Sequence, residues 1–415
     1  MKGLDMALIG NYVIYIVMAC AMAGAIASIF NDEDGLGKEF KEGIYSIGYI
    51  FLPVAGIMAS IPYLSYFIKI IFGPVFTWVG ADPSIAATTF IAVDMGGYQL
   101  AEALAATKES WIMAMTIGYM AGATIVFSIP VGLAMIEKKD HKYMALGVMA
   151  GILSVPIGVL TSCSLLAITS PTINAQANTT DPYQLALTFS TIVANLIPLI
   201  VIVISIAVGL RFLPDVMIRG FLWFGRIMNA CITMVLVCSI VEYFTYDKVM
   251  TGGGVFAYIF GSWGFDPIIA DKEDQFRALE IAGYIGIMLS GAFPMVYLIQ
   301  KYLKKPMESF GQKIGIESAG AAGILAAIAN ILAMFRLVKD MSPKDKVLNI
   351  AFAVCAAFMF GDHLAFTANF QPNLIFAILS GKLVGGVCGF ILAYWLSVPK
   401  ALELEKAENE GVSND

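Results

Sequence analysis

Charge is what this chain of 415 residues has least of. Asp, Glu, Lys and Arg make up only 13% of it, about half the share found in a soluble domain. That scarcity excludes a water-covered globular surface, and the lack of a basic patch excludes a nucleic-acid footprint. Histidine occurs twice, and Cys20, Cys163, Cys231, Cys238, Cys355 and Cys388 lie singly inside apolar runs. Their spacing builds neither a zinc site nor a disulfide framework, so they read as small core residues. Enzyme signatures are missing as well: there is no His-Glu-x-x-His run, Gly-x-Ser-x-Gly elbow or Walker-type loop. An aspartyl intramembrane protease would need Gly where this chain has Met359. No cofactor is implied, and no loop is long enough to house a separate catalytic or sensor domain.

What the sequence does have is apolar length. Hydrophobic residues reach 59% and mean hydropathy is +0.80, so lipid is the solvent for most of the surface. The net charge of -6 comes largely from an acidic tail with Glu403, Glu405, Glu408, Glu410 and Asp415. Runs able to cross a bilayer, about 20 residues each, occur at 7–30, 43–70, 109–136, 143–170, 184–211, 218–245, 277–300, 347–368 and 373–397. The first is too long, and lacks the cleavage site, for a signal peptide. Two further stretches are interrupted, 84–106 by Asp94-Met-Gly-Gly97 and 318–338 by Asn330. Each reads as two half-helices. The expected fold is an all-α polytopic membrane protein with about nine transmembrane helices and two re-entrant hairpins.

Lys and Arg collect on the cytoplasmic side. Lys138, Lys139 and Lys142, then Arg211 with Arg219, Lys301 with Lys304 and Lys305, and Lys400 therefore mark cytoplasmic loops. The uncharged stretch 171–180, with the weak sequon at Asn178, and the acidic stretch 247–274 fall outside. Arg336, Lys339, Lys344 and Lys346 follow the second interruption, so that hairpin starts and ends in the cytoplasm. The same counting dips 84–106 in from the opposite side and puts the N-terminus outside.

The chain also looks duplicated. Pro62 and Pro294 are 232 residues apart, as are Pro74 and Pro306. Gly122-Ala-Thr-Ile-Val-Phe-Ser128 resembles Gly361-Asp-His-Leu-Ala-Phe-Thr367, and Asp94 falls opposite Asn330. The intervening spans turn one copy over relative to the other, as in the inverted repeats of many secondary transporters. The reading is one transmembrane domain over 1–400, with copies at about 7–170 and 218–397, followed by a cytoplasmic tail at 401–415.

A carboxylate at bilayer depth costs about 2.5 to 3.5 kcal/mol, so it faces a cavity, a partner or a solute. Asp94, at a hairpin tip, either meets a solute or caps the second half-helix. Asp362 has no Lys or Arg close by in sequence, and His363 beside it either contacts the solute or stays neutral with one hydrogen bond. Thr124, Ser128 and Phe127 match His363, Thr367 and Phe366, and together with Asn330 they could line an ammonium site of oxygens and aromatic rings. The alternative is that the hydroxyls bond within their own helices and the rings face lipid. Gln99 and Asn195 are weaker candidates of the same kind.

Taken together, Ala92-Val-Asp-Met-Gly-Gly97, the run from Gly122 to Val131, Tyr143-Met-Ala-Leu-Gly-Val-Met-Ala-Gly151, Gly291-Ala-Phe-Pro-Met295, Gly361-Asp-His363 and Gly381-Lys-Leu-Val-Gly-Gly386 closely resemble the bacterial ethanolamine-utilisation permease family, EutH. The resemblance runs from about residue 43 to 397 and departs at Ala123, where proline is expected, which puts the local kink of that helix in question. It implies a multi-pass protein of the bacterial cytoplasmic (inner) membrane that imports ethanolamine for a cobalamin-dependent ammonia-lyase housed in a microcompartment. Transport by alternating access would be facilitative or proton-coupled, with ethanolamine and membrane lipid as partners and self-association left open. No residue roles come with it. The competing readings are a carrier or channel for another small amine or polar solute, and a membrane enzyme or sensor.

Overall fold

The computed structural model describes residues 6–250, 263–272 and 274–412. Parts of the acidic stretch 247–274 and the end of the tail lie outside the described residues. Among the described residues, eight helices are long and apolar enough to cross a membrane. Backbone groups in hydrocarbon find no water, so each crossing segment satisfies its own peptide bonds as a helix.

The first half comprises α1 (Met6–Phe30), α2 (Gly35–Ala59), α3 (Ile61–Ile71), α4 (Gly73–Trp78), α5 (Ser84–Phe90), α6 (Gly97–Leu104), α7 (Lys108–Ile117), a wide π segment (Gly118–Ser128), α8 (Ile129–Met135), α9 (His141–Ile152) and α10 (Val155–Thr169). A two-stranded hairpin, β1 (Thr172–Asn174) with β2 (Pro182–Gln184), lies in the stretch expected outside. Then come α11 (Phe189–Phe212) and α12 (Pro214–Met250), followed by α13 (Ala278–Lys313), α14 (Ser318–Ala329), α15 (Ile331–Leu337), α16 (Pro343–Ala356), α17 (Asp362–Phe370), α18 (Ile375–Leu396) and α19 (Val398–Val412).

Two groups of helices form the body. In one, α2 runs along α13, with α1 packed on both and α12 packed on α2. In the other, α10 packs on α18 and α16 lies against α9 and α18. A buried ion pair pins two helix ends of the second group: Lys346 of α16 meets Asp140, which precedes α9, at 2.6 Å. Large apolar side chains face outward on α1 and α12, among them Tyr15, Phe30, Trp223 and Phe244. Apolar surface on that scale is what lipid covers.

Both interrupted stretches are pairs of half-helices. The first breaks between α5 and α6, where Gly96 has φ +89°, a left-handed conformation that glycine adopts at no steric cost. The second breaks at Asn330, whose side chain accepts a hydrogen bond from the Leu332 amide and so caps α15. The run at 347–368, expected to cross as one helix, is instead α16 and α17 joined by residues 357–361. That joint includes Phe358 at φ +59°, and Phe358 and Phe360 donate their amides to the carbonyls of Ala327 and Ile328 near the second hairpin tip. The hairpin supplies the partners that a broken helix lacks. Around Ala123 the chain forms no proline kink but the π segment, a form that recurs at functional sites. Cys163 and Cys355 are buried as expected, whereas Cys231 is exposed on α12.

Candidate functional site

The two breaks meet beside one cavity of about 520 Å³. Asp94 and Met95 from the first hairpin tip, Asn330 from the second, Phe358, Asp362 and His363 from the α16–α17 joint, and Phe127 from the π segment all line it. From there the cavity follows one face of α2, past Pro53, Ile50, Tyr49 and Ser46 to Glu42. Those positions repeat at helical spacing, so α2 presents a stripe and not scattered contacts. Exposed Arg336 lines the same end as exposed Glu42.

The carboxylates are the polar centre. Asp94 is not a helix cap: no side chain caps α6, and among the described residues its buried Oδ1 has no hydrogen-bond partner. His363 Nε2 lies 4.0 Å from that oxygen. Asp362 opens α17, where the helix N-terminus favours a negative charge by about 0.3 to 1 kcal/mol. The Phe127 and Phe358 rings meet edge to face at 5.8 Å on the same wall. Carboxylates next to aromatic faces suit a small ammonium.

Behind the cavity the rings and hydroxyls form a fixed network. His363 is buried, with its ring centroid 4.8 Å from that of Tyr119. Thr367 donates to the His363 carbonyl at 2.7 Å, which leaves Tyr119 as donor in its 2.6 Å bond to Thr367. Beyond it, Tyr98 stacks on Trp111 and touches Phe366 edge on, while Gln371 bonds both the Tyr98 hydroxyl and the Asn174 carbonyl of β1. This aromatic layer separates the cavity from the β hairpin.

Five of the eleven residues singled out from sequence line the cavity: Asp94, Asp362, His363, Asn330 and Phe127. The other six sit outside its wall. Thr124 donates to the Val354 carbonyl and Ser128 to the Ala123 carbonyl, Thr367 and Phe366 belong to the network behind His363, and the buried amide of Gln99 has no partner. Asn195 accepts the Asp82 amide at 2.7 Å and so anchors the loop before α5. Sequence reasoning missed Glu42, Tyr49, Arg336 and Phe358, whose roles depend on which helix face turns inward. It also missed Lys382, although a lone lysine inside an apolar run carries the same signal as a lone aspartate.

The comparisons with known proteins agree across the whole chain. The family described as "Ethanolamine utilisation protein, EutH" matches residues 9–396. A protein of Listeria monocytogenes named "Probable ethanolamine permease EutH" is 36% identical over 98% of this chain and 99% of its own. Proteins of the same name from Escherichia coli and Salmonella typhimurium are each 37% identical, over 92% and 88% of this chain and 90% and 86% of theirs. No solved structure gives a significant match. With eight apolar crossing helices beside these matches, the protein is a multi-pass protein of the bacterial cytoplasmic membrane, and the chain belongs to the EutH family of ethanolamine utilisation proteins.

Proposed function

We propose that this protein is a transporter, not an enzyme, that carries protonated ethanolamine across the cytoplasmic membrane. The observation that carries the reading is the pair Asp94 and Asp362 on one cavity, with Asp94 Oδ1 buried and unpartnered. An ammonium offsets such a carboxylate, and the hydroxyl of the solute finds donors and acceptors at His363 and Asn330. The names of the full-length relatives supply the solute.

Alternating access between two inverted copies is the mechanism we propose. The paired breaks support it: the tips between α5 and α6 and between α14 and α15 both line the one cavity. The Lys and Arg bias places the Glu42–Arg336 end of the cavity in the cytoplasm, so this is the inward-facing form, closed from outside by Tyr98, Trp111 and Phe366. Outward opening requires that aromatic layer to part while the two hairpin tips close over the α2 stripe.

Uptake of labelled ethanolamine by purified protein in sealed liposomes tests the reading. Saturable uptake by the wild type, weaker by about tenfold or more in Asp94→Asn and in Asp362→Asn, is the expected result for loss of a charge-assisted contact. Unchanged uptake in both variants overturns it. Repeating the assay with an imposed proton gradient separates facilitated from proton-coupled movement.

A further inference from the structure

Lys382 has no part in the function as described so far, yet it is the one lysine among the twelve largest fully buried side chains of the described residues, 1% exposed inside α18. A lysine at bilayer depth is as costly as an aspartate, and among the described residues its ammonium donates to a single acceptor, the Tyr119 carbonyl at 3.0 Å. An ammonium carries three donors, so one carbonyl does not account for a buried positive charge. The charge bears on the site through short steps. The Tyr119 ring lies tilted against that of His363, with centroids 4.8 Å apart, and His363 Nε2 lies 4.0 Å from Asp94 Oδ1. Lys382 is near enough to act electrostatically on the Cys355 thiol, on Asp94 and on His363, and Asp94 in turn acts on Asp362. At the mouth, Glu42 and Arg336 are exposed and of opposite sign, so they cancel in any count.

We propose that Lys382 sets the charge class of the solute: it balances Asp94 and leaves Asp362 as the single uncompensated carboxylate, so the cavity takes a monovalent ammonium and rejects a divalent one. Two aspartates without the lysine would form a site for a diamine. With it, the inner site carries one net negative charge when both carboxylates are ionised, and a bound monocation brings the sum to zero. Burial makes that sum matter, because an unbalanced charge in a low-dielectric cavity is far more costly than the same charge in water. The assignment rests on the transport reading above.

The test is competition. Liposomes take up labelled ethanolamine while unlabelled ethanolamine or 1,3-diaminopropane, a dication at neutral pH, is added, and the ratio of the two half-inhibitory concentrations is read for each protein. Lys382→Gln keeps a donor for the Tyr119 carbonyl but removes the charge. It is expected to shift the ratio toward the diamine by about tenfold or more, while Lys382→Arg keeps the wild-type preference. Asp94→Asn alone leaves the lysine unbalanced and removes a contact to the ammonium, so it weakens ethanolamine competition; adding Lys382→Gln to it is expected to recover the part of the loss due to the unbalanced charge, with the preference for the monocation, but not the part due to the lost contact. An unchanged ratio in Lys382→Gln, or a double variant no better than Asp94→Asn, overturns the proposal. A purely structural lysine would lower uptake of both solutes together and give no such rescue. Absence of ethanolamine uptake by the wild type would instead strike the transport reading itself.

Discussion

Asp94 and His363 face each other across 4.0 Å, a gap too long for a hydrogen bond, and both residues line the cavity. The two residues come from opposite ends of the chain, one from a hairpin tip and one from a helix that begins at a break. A solute with an ammonium and a hydroxyl can engage both. His363→Ala is therefore expected to weaken ethanolamine more than ethylamine, which lacks the hydroxyl, by about fivefold, the worth of about one hydrogen bond. Competition by the two amines in the liposome assay measures it. Equal weakening of both would remove His363 from hydroxyl recognition.

Gly122 and Gly361 make the same kind of contact with the two hairpins. A Cβ at Gly122 would come within 2.4 Å of the Ile91 carbonyl oxygen, and one at Gly361 within 2.3 Å of the Ala329 carbonyl oxygen. Neither oxygen is the loose end of a flexible side chain. Alanine at either site is expected to cost about 1 to 3 kcal/mol by overpacking, seen as a lower unfolding temperature in detergent. A variant as stable as the wild type would show that the hairpins have room to move aside.

Much of this was legible before the structure. Asp94-Met-Gly-Gly97 and Asn330 stand out because polar and glycine residues interrupt otherwise continuous apolar runs, and the matched Gly122 and Gly361 do pack on the two interruptions. What sequence could not supply was rotation. An apolar helix carries almost no polar face to show which way it turns, so Thr124 and Ser128 looked equivalent to cavity residues but spend their hydroxyls on the Val354 and Ala123 carbonyls. The break at 357–361 escaped notice for a related reason: its sequence is apolar, and its unpaired amides are satisfied by a distant hairpin.

Asn330 offers a separable test of structure against recognition, since its side chain both caps α15 and lines the cavity. Asn330→Asp keeps the cap and adds a negative charge, whereas Asn330→Ala is expected to cost about 1 kcal/mol in stability. If the cap alone matters, uptake follows stability in both. A gain in cation affinity confined to the aspartate would show in the half-saturation concentration.

The ion pair of Lys346 and Asp140 is buried, so breaking one side strands the other. Lys346→Met is expected to destabilise the protein by about 3 to 5 kcal/mol, with most of the loss recovered in Lys346→Met with Asp140→Leu. Thermal unfolding of the single and double variants decides it. A double variant no more stable than the single would mean the pair does more than offset its own charges.

Sidedness is open to chemical labelling. Cysteines replacing Glu42 and Arg336 in a background freed of native cysteines are expected to react with an impermeant maleimide from the cytoplasmic side, and one replacing Asn178 from the outside. The opposite pattern would invert the topology and turn this structure into the outward-facing form.

Phe358 gives the cavity wall a property that its contacts do not describe. Its backbone sits at φ +59°, where a residue with a side chain gives up about 1 to 2 kcal/mol relative to the right-handed alternative. Glycine would sit there at ease but would leave the wall without its ring. The joint between α16 and α17 is thus a loaded spring, held by the hairpin carbonyls of Ala327 and Ile328. A rearrangement that frees those two carbonyls would let it relax, so part of the backbone strain at this wall is held in place by the second hairpin.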